Sequence, residues 1–272
     1  MRGLKLLRRM VTFTEVMFFP ILIVHYLQHI PVHSEGRFVP EYSMVELTKE
    51  TDKETFLMQT GLGEAAVERL LQEGNWDMIL QGQQDFFATP EVGCRDLLGW
   101  FTKEERGRQM PNSALVDLRP GDILLTLSTH SLGWRHGHVG LVIDENTVLE
   151  CGVWGQDSAL CSASAWKSYA SYAHLRVKNA DEETVQEVVQ YALRHLQGVP
   201  YHLSAGFLGP KAPDVTENYF GLQCAYLVWY AWHKFGIDLD DDGGRLVTPE
   251  DILHSLHLEI VQVYGMNPDD CR

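Results

Sequence analysis

His136-Gly-His-Val-Gly-Leu-Val-Ile-Asp-Glu-Asn-Thr-Val-Leu-Glu-Cys151 reads as two β-strands, over residues 138–143 and 147–151. Both are rich in Val, Ile and Leu, and Asp144-Glu145-Asn146 makes a hairpin turn between them. Upstream, residues 122–127 read as another strand, and residues 259–264 as a strand near the end of the chain. Helices intervene. Val185, Val188, Val189, Ala192, Leu193 and Leu196 form one apolar face, with Asp181 placed to cap it and Gly198 and Pro200 to end it. A further helix begins near Gln223, runs to about Lys234 and stops before Gly236. The pattern predicts an α+β domain over residues 113–272, with an antiparallel sheet packed on helices.

Residues 1–33 have a different character. Arg2, Lys5, Arg8 and Arg9 precede an apolar stretch over residues 10–30, densest over 16–27. This reads as an export signal or a single membrane anchor, which would place the rest of the chain outside the cytoplasm. Glu15, Pro20, His25 and Gln28 interrupt it, and a buried amphipathic helix is the other reading. Residues 34–112 read as a linker followed by a small helical region. Residues 34–55 are polar and charged. Ala65, Ala66, Leu70 and Leu71 then fall at helical spacing between Gly63 and Gly74, and a second short helix is expected over 76–87. The helical region is expected to cap the larger domain. Residues 91–112 read as a connector in which Thr102-Lys-Glu-Glu105 can start a short helix.

The chain has 272 residues, with 22 Lys and Arg against 37 Asp and Glu, a net charge of −15. Such a chain repels phosphates, and no basic run with interleaved aromatics offsets this, so nucleic acid is excluded as a partner. Its five cysteines are too few and irregular for a disulfide framework, and without a CxxC pair they offer no thiolate zinc site. No metal and no cofactor is expected.

One cysteine stands out. Gly221-Leu-Gln-Cys-Ala-Tyr-Leu-Val-Trp-Tyr230 delivers Cys224 to the first turn of an apolar helix. Backbone N–H groups there stabilise a thiolate, the nucleophilic form; a buried, inert core cysteine is the alternative. His138, at the start of a strand, is held as a general base must be, although a satisfied core histidine fits the same pattern. His136 beside it suggests a metal pair, but no ligand cluster accompanies the two. Glu150 follows His138 by twelve residues. With two loop residues Glu150 is expected opposite Leu141, away from His138; with three, opposite Val142, on His138's side. The aromatic residues Tyr226, Trp229, Tyr230 and Trp232 have helical spacing and read as core. Tyr201, in Gly198-Val-Pro-Tyr201, is a candidate for lining a cleft or supplying a hydroxyl, with core packing as the alternative.

Gly121-Asp-Ile123, Gly137-His-Val-Gly-Leu-Val-Ile143, Val148-Leu-Glu150 and Gln223-Cys-Ala-Tyr-Leu-Val-Trp-Tyr230 together resemble the permuted NlpC-type papain-like cysteine hydrolases, the YiiX/YebB-like group. Gly236-Ile-Asp-Leu-Asp-Asp-Asp-Gly-Gly244 and Val247-Thr-Pro-Glu-Asp-Ile252 resemble it as well, so the match spans about residues 113–264. In this group the histidine precedes the cysteine, the reverse of papain's order, and a polar third residue follows the histidine at this same spacing. Ala225 stands where relatives often carry Ser, and His202 where they often carry an acid or amide.

The resemblance implies a circularly permuted papain-like fold with Cys224 as nucleophile, His138 as base and then acid, and Glu150 fixing the imidazole. It implies hydrolysis of an amide, with a peptidoglycan stem peptide as the substrate class and another small amide substrate as the broader one. A lipid acyltransferase or thioesterase on the same fold, or a binding module without catalysis, are the alternatives.

Overall fold

The computed structural model describes residues 38–88, 92–96, 101–106, 115–131, 134–152, 155–203, 205–206, 210–216 and 221–271. The segment 1–33, with its apolar stretch 10–30, lies outside them. Among the described residues no helix is long and apolar enough to cross a membrane.

Three helices come first: α1 (Lys53–Thr60), α2 (Glu64–Gln72) and α3 (Trp76–Phe87). The last two stand where the apolar spacing predicts them. In α1 two of the three buried side chains, Gln59 and Thr60, are polar, so no apolar stripe announces it. Asp52 caps it by accepting from Thr55 N at 2.9 Å. Ala66, Val67, Leu70, Ile79, Phe56 and Leu47 form a small core of their own, closed by Val261. Residues 38–52, expected as a linker, are therefore packed: Leu47 joins this core, and Phe38 N donates to Gly265 O at 3.0 Å.

The strands among the described residues form two antiparallel sheets. They are β1 (Val92–Asp96), β2 (Phe101–Arg106), β3 (Ile123–Thr126), β4 (Thr129–Ser131), β5 (Trp134–Arg135), β6 (His138–Asp144), β7 (Thr147–Glu150), β8 (Ala159–Ser162), β9 (Tyr172–Val177) and β10 (Leu258–Tyr264). The larger sheet has the order β10-β9-β3-β6-β7-β8, and the smaller one β1-β2-β4-β5. The smaller sheet corrects the expectation of a helix at Thr102-Lys-Glu-Glu105. These residues are extended in β2 because Glu104 is drawn inward by His130 and Arg135, at 2.7 and 2.9 Å. Both partners lie far along the chain, and local propensity carries no trace of them.

Helices α4 (Glu182–Tyr191), α5 (Cys224–His233) and α6 (Pro249–Leu253) complete the fold. Asp181 caps α4 as expected, accepting from Thr184 N at 2.7 Å. The last apolar residues of the predicted stripe continue as a wider π turn over Ala192–Leu196. One face of the larger sheet, with Ile123, Leu125, Val139, Leu141, Ala173 and Leu175, packs on α4, α5 and α6. Every residue of α5 from Ala225 to Trp232 is buried, so the helix that carries Cys224 is seated in the main core. The predicted aromatic residues Tyr226, Trp229, Tyr230 and Trp232 are core. The opposite face holds Leu124, Val142, Val148 and Trp166.

Gly121 and Asp122 tie the sheet to the helices. Gly121 has φ +84°, and a Cβ there would lie 2.9 Å from Val185 Cγ1 on α4. Asp122 is buried and accepts from Arg119 N at 2.8 Å, His174 Nε2 at 2.7 Å, and Arg176 Nε and Nη2 at 2.8 Å each. This pair holds the entry to β3 against β9.

Candidate functional site

The site is built at the ends of two elements that touch. Strand β6 packs on α5, so its first residue, His138, and the first residue of the helix, Cys224, meet at one edge of the main core. Gln223 caps the helix: its Oε1 accepts from Ala225 N at 3.0 Å, while its Nε2 donates to Val247 O. The Cys224 Sγ lies 3.5 Å from that same Oε1 and is half-buried. The other cysteines are either exposed, Cys94 and Cys161, or buried, Cys151 and Cys271. Burial pushes the Cys151 and Cys271 thiols up to about 12, with the charges of Cys224 and Asp157 adding at Cys151 and that of Asp270 at Cys271.

Glu150 reaches His138 by a route different from either expected pairing. The turn has two residues, Glu145 and Asn146, with Asp144 opposite Thr147. The register then shifts at Ile143, which has no partner of its own, so that Val142 faces Val148 and Glu150 faces Gly140. The surplus residue moves the partner one position back along β6, from Leu141 to Gly140, rather than forward to Val142. Gly140 is two residues from His138 and therefore on its side of the sheet. Glu150 Oε2 lies 2.9 Å from His138 Nε2. A Cβ on Gly140 would sit 2.5 Å from Val148 Cγ1 and 3.1 Å from Glu150 Cγ, so the carboxylate needs a glycine across from it.

A third group, not foreseen, holds the pair. Trp166, in a short 3₁₀ turn after β8, donates from Nε1 to Glu150 Oε1 at 2.7 Å. Its ring also stacks on the imidazole of His138, with centroids 5.5 Å apart and planes 13° from parallel. Both carboxylate oxygens are thereby satisfied in a largely buried position, as burial of a charge requires. The sequence signal was half present: a carboxylate among apolar residues must find donors, but nothing local says that one of them is a tryptophan sixteen residues on.

The electrostatics follow. Burial pulls the His138 imidazole down, but its hydrogen bonds with Cys224 and Glu150, and their negative charge, outweigh this and raise it to about 10. Burial pushes the Glu150 carboxyl up, and the His138 bond and charge, the Trp166 N–H and the charge of Lys103 overcome it and hold the group below its ordinary value. With Nε2 on the carboxylate, Nδ1 is the nitrogen left for the thiol. Tyr201 is half-buried and pairs with Leu222, two residues before the cysteine. Burial, then the charges of Cys224 and Cys151, push its phenol up.

His136 does not join His138. Its Nε2 lies 2.7 Å from Ser131 Oγ and its Nδ1 faces Gly137 O at 2.6 Å. Among the described residues neither histidine belongs to a cluster able to hold a metal.

Trp166→Phe keeps the stacked ring and removes only the N–H donor. On the catalytic reading proposed below, it is expected to lower turnover by roughly tenfold with little change in KM, since the imidazole loses orientation rather than substrate contact. Steady-state kinetics on the full-length protein check this. Unchanged turnover in Trp166→Phe together with a loss in Trp166→Ala would show that stacking, not the hydrogen bond, matters.

No protein-family model matches the sequence, and none of the curated proteins matches it. Among solved structures the chain is similar to the crystal structure of metalloprotein yiiX from Escherichia coli O157:H7, DUF1105, with 17% identity. The likeness covers 53% of this chain and 96% of that one, with a TM-score of 0.41. The neighbour is a member of the YiiX/YebB-like group that the motifs resemble. It assigns no role to any residue here.

Proposed function

We propose that the chain is a thiol-dependent hydrolase of amide bonds whose catalytic domain is papain-like in permuted order. The observation that carries this reading is the meeting of Cys224, His138 and Glu150, with the imidazole held by the carboxylate on one side and bonded to the thiol on the other. A nucleophile, a base within reach of it and a third group orienting the base are the parts that acyl transfer needs.

His138 takes the thiol proton on Nδ1, and the sulfur attacks the carbonyl carbon. The Cys224 N–H, at the start of α5, is an oxyanion donor, and Tyr201 lines the cleft beside it. The imidazolium returns its proton to the leaving amine. Water, deprotonated by His138, then releases the acid from the thioester. Glu150 stays ionised and fixes the ring throughout. Peptidoglycan stem peptides are the substrate class we infer, cleaved outside the cytoplasmic membrane. The inference rests on the motif resemblance and the basic, apolar N-terminus, a weaker warrant than the triad itself. Acyl thioesters and lipid esters are the substrates to run in parallel, because the same three residues serve them.

Iodoacetamide alkylation read by mass spectrometry tests the thiol directly. Cys224 is expected to react faster than exposed Cys94 and Cys161, because His138 is bonded to its thiol and only the thiolate is nucleophilic. His138→Ala should remove the difference. Equal rates at Cys224 and Cys94 would leave a binding module as the better reading.

A further inference from the structure

Beyond α5 the chain runs Asp238-Leu-Asp240-Asp-Asp242-Gly-Gly244 before turning into α6. Carboxylate oxygens of Asp240, Asp242 and Asp251 all lie within 4.8 Å of one another. Exposed acidic residues gather in many proteins without consequence, but Asp240 is not exposed. Its side chain has no accessible surface, and only one of its oxygens is engaged: Oδ2 pairs with Lys211 Nζ. The other, Oδ1, is buried with no hydrogen-bond partner. An ionised oxygen in that position costs far more than a neutral one unless something positive meets it.

The neighbours cannot supply that charge. Asp242 Oδ1 accepts from Gly244 N at 2.6 Å, and Asp251 Oδ2 accepts from Thr248 N and Oγ1 at 2.7 Å each. All three carboxylates are thus held in place by backbone and hydroxyl donors or by Lys211, each with an oxygen left over. Three carboxylates against one lysine leave a local charge of −2. We propose that Asp240, Asp242 and Asp251 bind a divalent cation of the calcium type. The donors are all hard oxygens, and calcium–oxygen distances of roughly 2.3–2.6 Å suit oxygens this far apart. Asp242 is exposed, which leaves room for the waters that complete such a shell.

The ion fastens the loop after α5 to the first turn of α6. Between them lies Val247, whose carbonyl accepts from Gln223 Nε2, the cap of α5. Cation binding therefore braces the start of the core helix from below.

The test uses the full-length protein stripped with EDTA. CaCl₂ is expected to raise the melting temperature, and TbCl₃ to give luminescence on tryptophan excitation that calcium displaces. Trp229 is the antenna, since its Nε1 donates to Asp238 in the same loop at 2.7 Å. Asp242→Asn keeps the turn, because its amide oxygen still accepts from Gly244 N, and it should weaken calcium binding by roughly tenfold or more. Asp144→Asn, at the exposed hairpin turn, should leave binding unchanged. Absence of a calcium heat in titration calorimetry of the wild-type protein would overturn the proposal. So would terbium luminescence and calcium affinity unchanged in both Asp242→Asn and Asp251→Asn.

Discussion

Cys224→Ala is expected to lower amide hydrolysis by on the order of 10⁴-fold or more while leaving the fold intact. The residue that bonds is removed, but the helix that carries it is anchored by Ala225 to Trp232, all buried. Alanine in the first turn of a helix costs little, so the melting temperature should move by only a few degrees. The variant also changes a titration. His138 sits at about 10 partly through its bond to the thiol. A histidine raised in the folded state contributes stability that is fully present below its unfolded value of about 6.5 and is lost as pH rises through the folded value. Without Cys224 the folded value drops, so the loss on the alkaline side begins earlier. Product analysis on muropeptides and amide substrates, with imidazole chemical shifts followed against pH, checks both statements. Full activity in Cys224→Ala would refute the thiol mechanism; an unchanged imidazole titration would show that the thiol and ring are not coupled.

Asp122→Ala is the substitution expected to cost most in stability, about 3–5 kcal/mol. Asp122 accepts three hydrogen bonds from side chains on β9, two from Arg176 and one from His174, and a fourth from Arg119 N. Asp117 still accepts from Arg176, from Nη1 at Oδ2 (2.9 Å) and from Nη2 at its backbone oxygen (2.7 Å), so two guanidinium nitrogens keep a partner. The Nε and the buried His174 Nε2 lose theirs. Burial alone would raise the Asp122 carboxyl, but the Arg176 and His174 bonds outweigh it and hold the group below its ordinary value. Stability from a depressed carboxylate is present above the unfolded value of about 3.9 and is lost as pH falls through the folded one. Wild type should therefore lose stability in acid below about pH 4, and Asp122→Ala should lose less over that interval because part of the loss has already been taken. Urea unfolding at pH 7 and pH 3 measures the difference. A destabilisation under about 1 kcal/mol at pH 7 would mean that Asp117 alone satisfies Arg176.

The elements built from local rules were legible beforehand. Asp181 ahead of an apolar stripe, and Gly63 and Gly74 around Leu70 and Leu71, announce helices because capping and amphipathic spacing act within a few residues. The same holds for Cys224, whose place at a helix start follows from the apolar run behind it. What could not be read depends on partners distant in the chain. Glu104 reads as surface until His130 and Arg135 meet it, and that error turned a strand into an expected helix. In β9 the alternation of Ala173, Leu175 and Val177 with Tyr172, His174 and Arg176 is a two-residue period, but two of its polar positions turn to Asp122, with His174 fully buried and Arg176 half-buried. The glycine and aspartate of Gly121-Asp-Ile123 carry a family likeness, yet their work here is to join β3 to α4 and β9. Trp166 is the plainest case, for its partners, one oxygen of Glu150 and the ring of His138, lie sixteen and more residues back along the chain.

The unpaired Ile143 has a consequence for how this hairpin can change in length. Removing that one residue would leave an ordinary two-residue turn, and Glu150 would still face Gly140. Straightening the strand while keeping all its residues would carry Glu150 to Leu141 and turn it away from His138. Contraction by one residue is thus neutral for the pairing, whereas a change that looks milder, the loss of the kink, is not. The hairpin carries a spare residue that separates the count along the chain from the geometry across the sheet. Divergence in spacing between the histidine and its carboxylate is accordingly permitted in one direction, from twelve to eleven, without any rearrangement of the site.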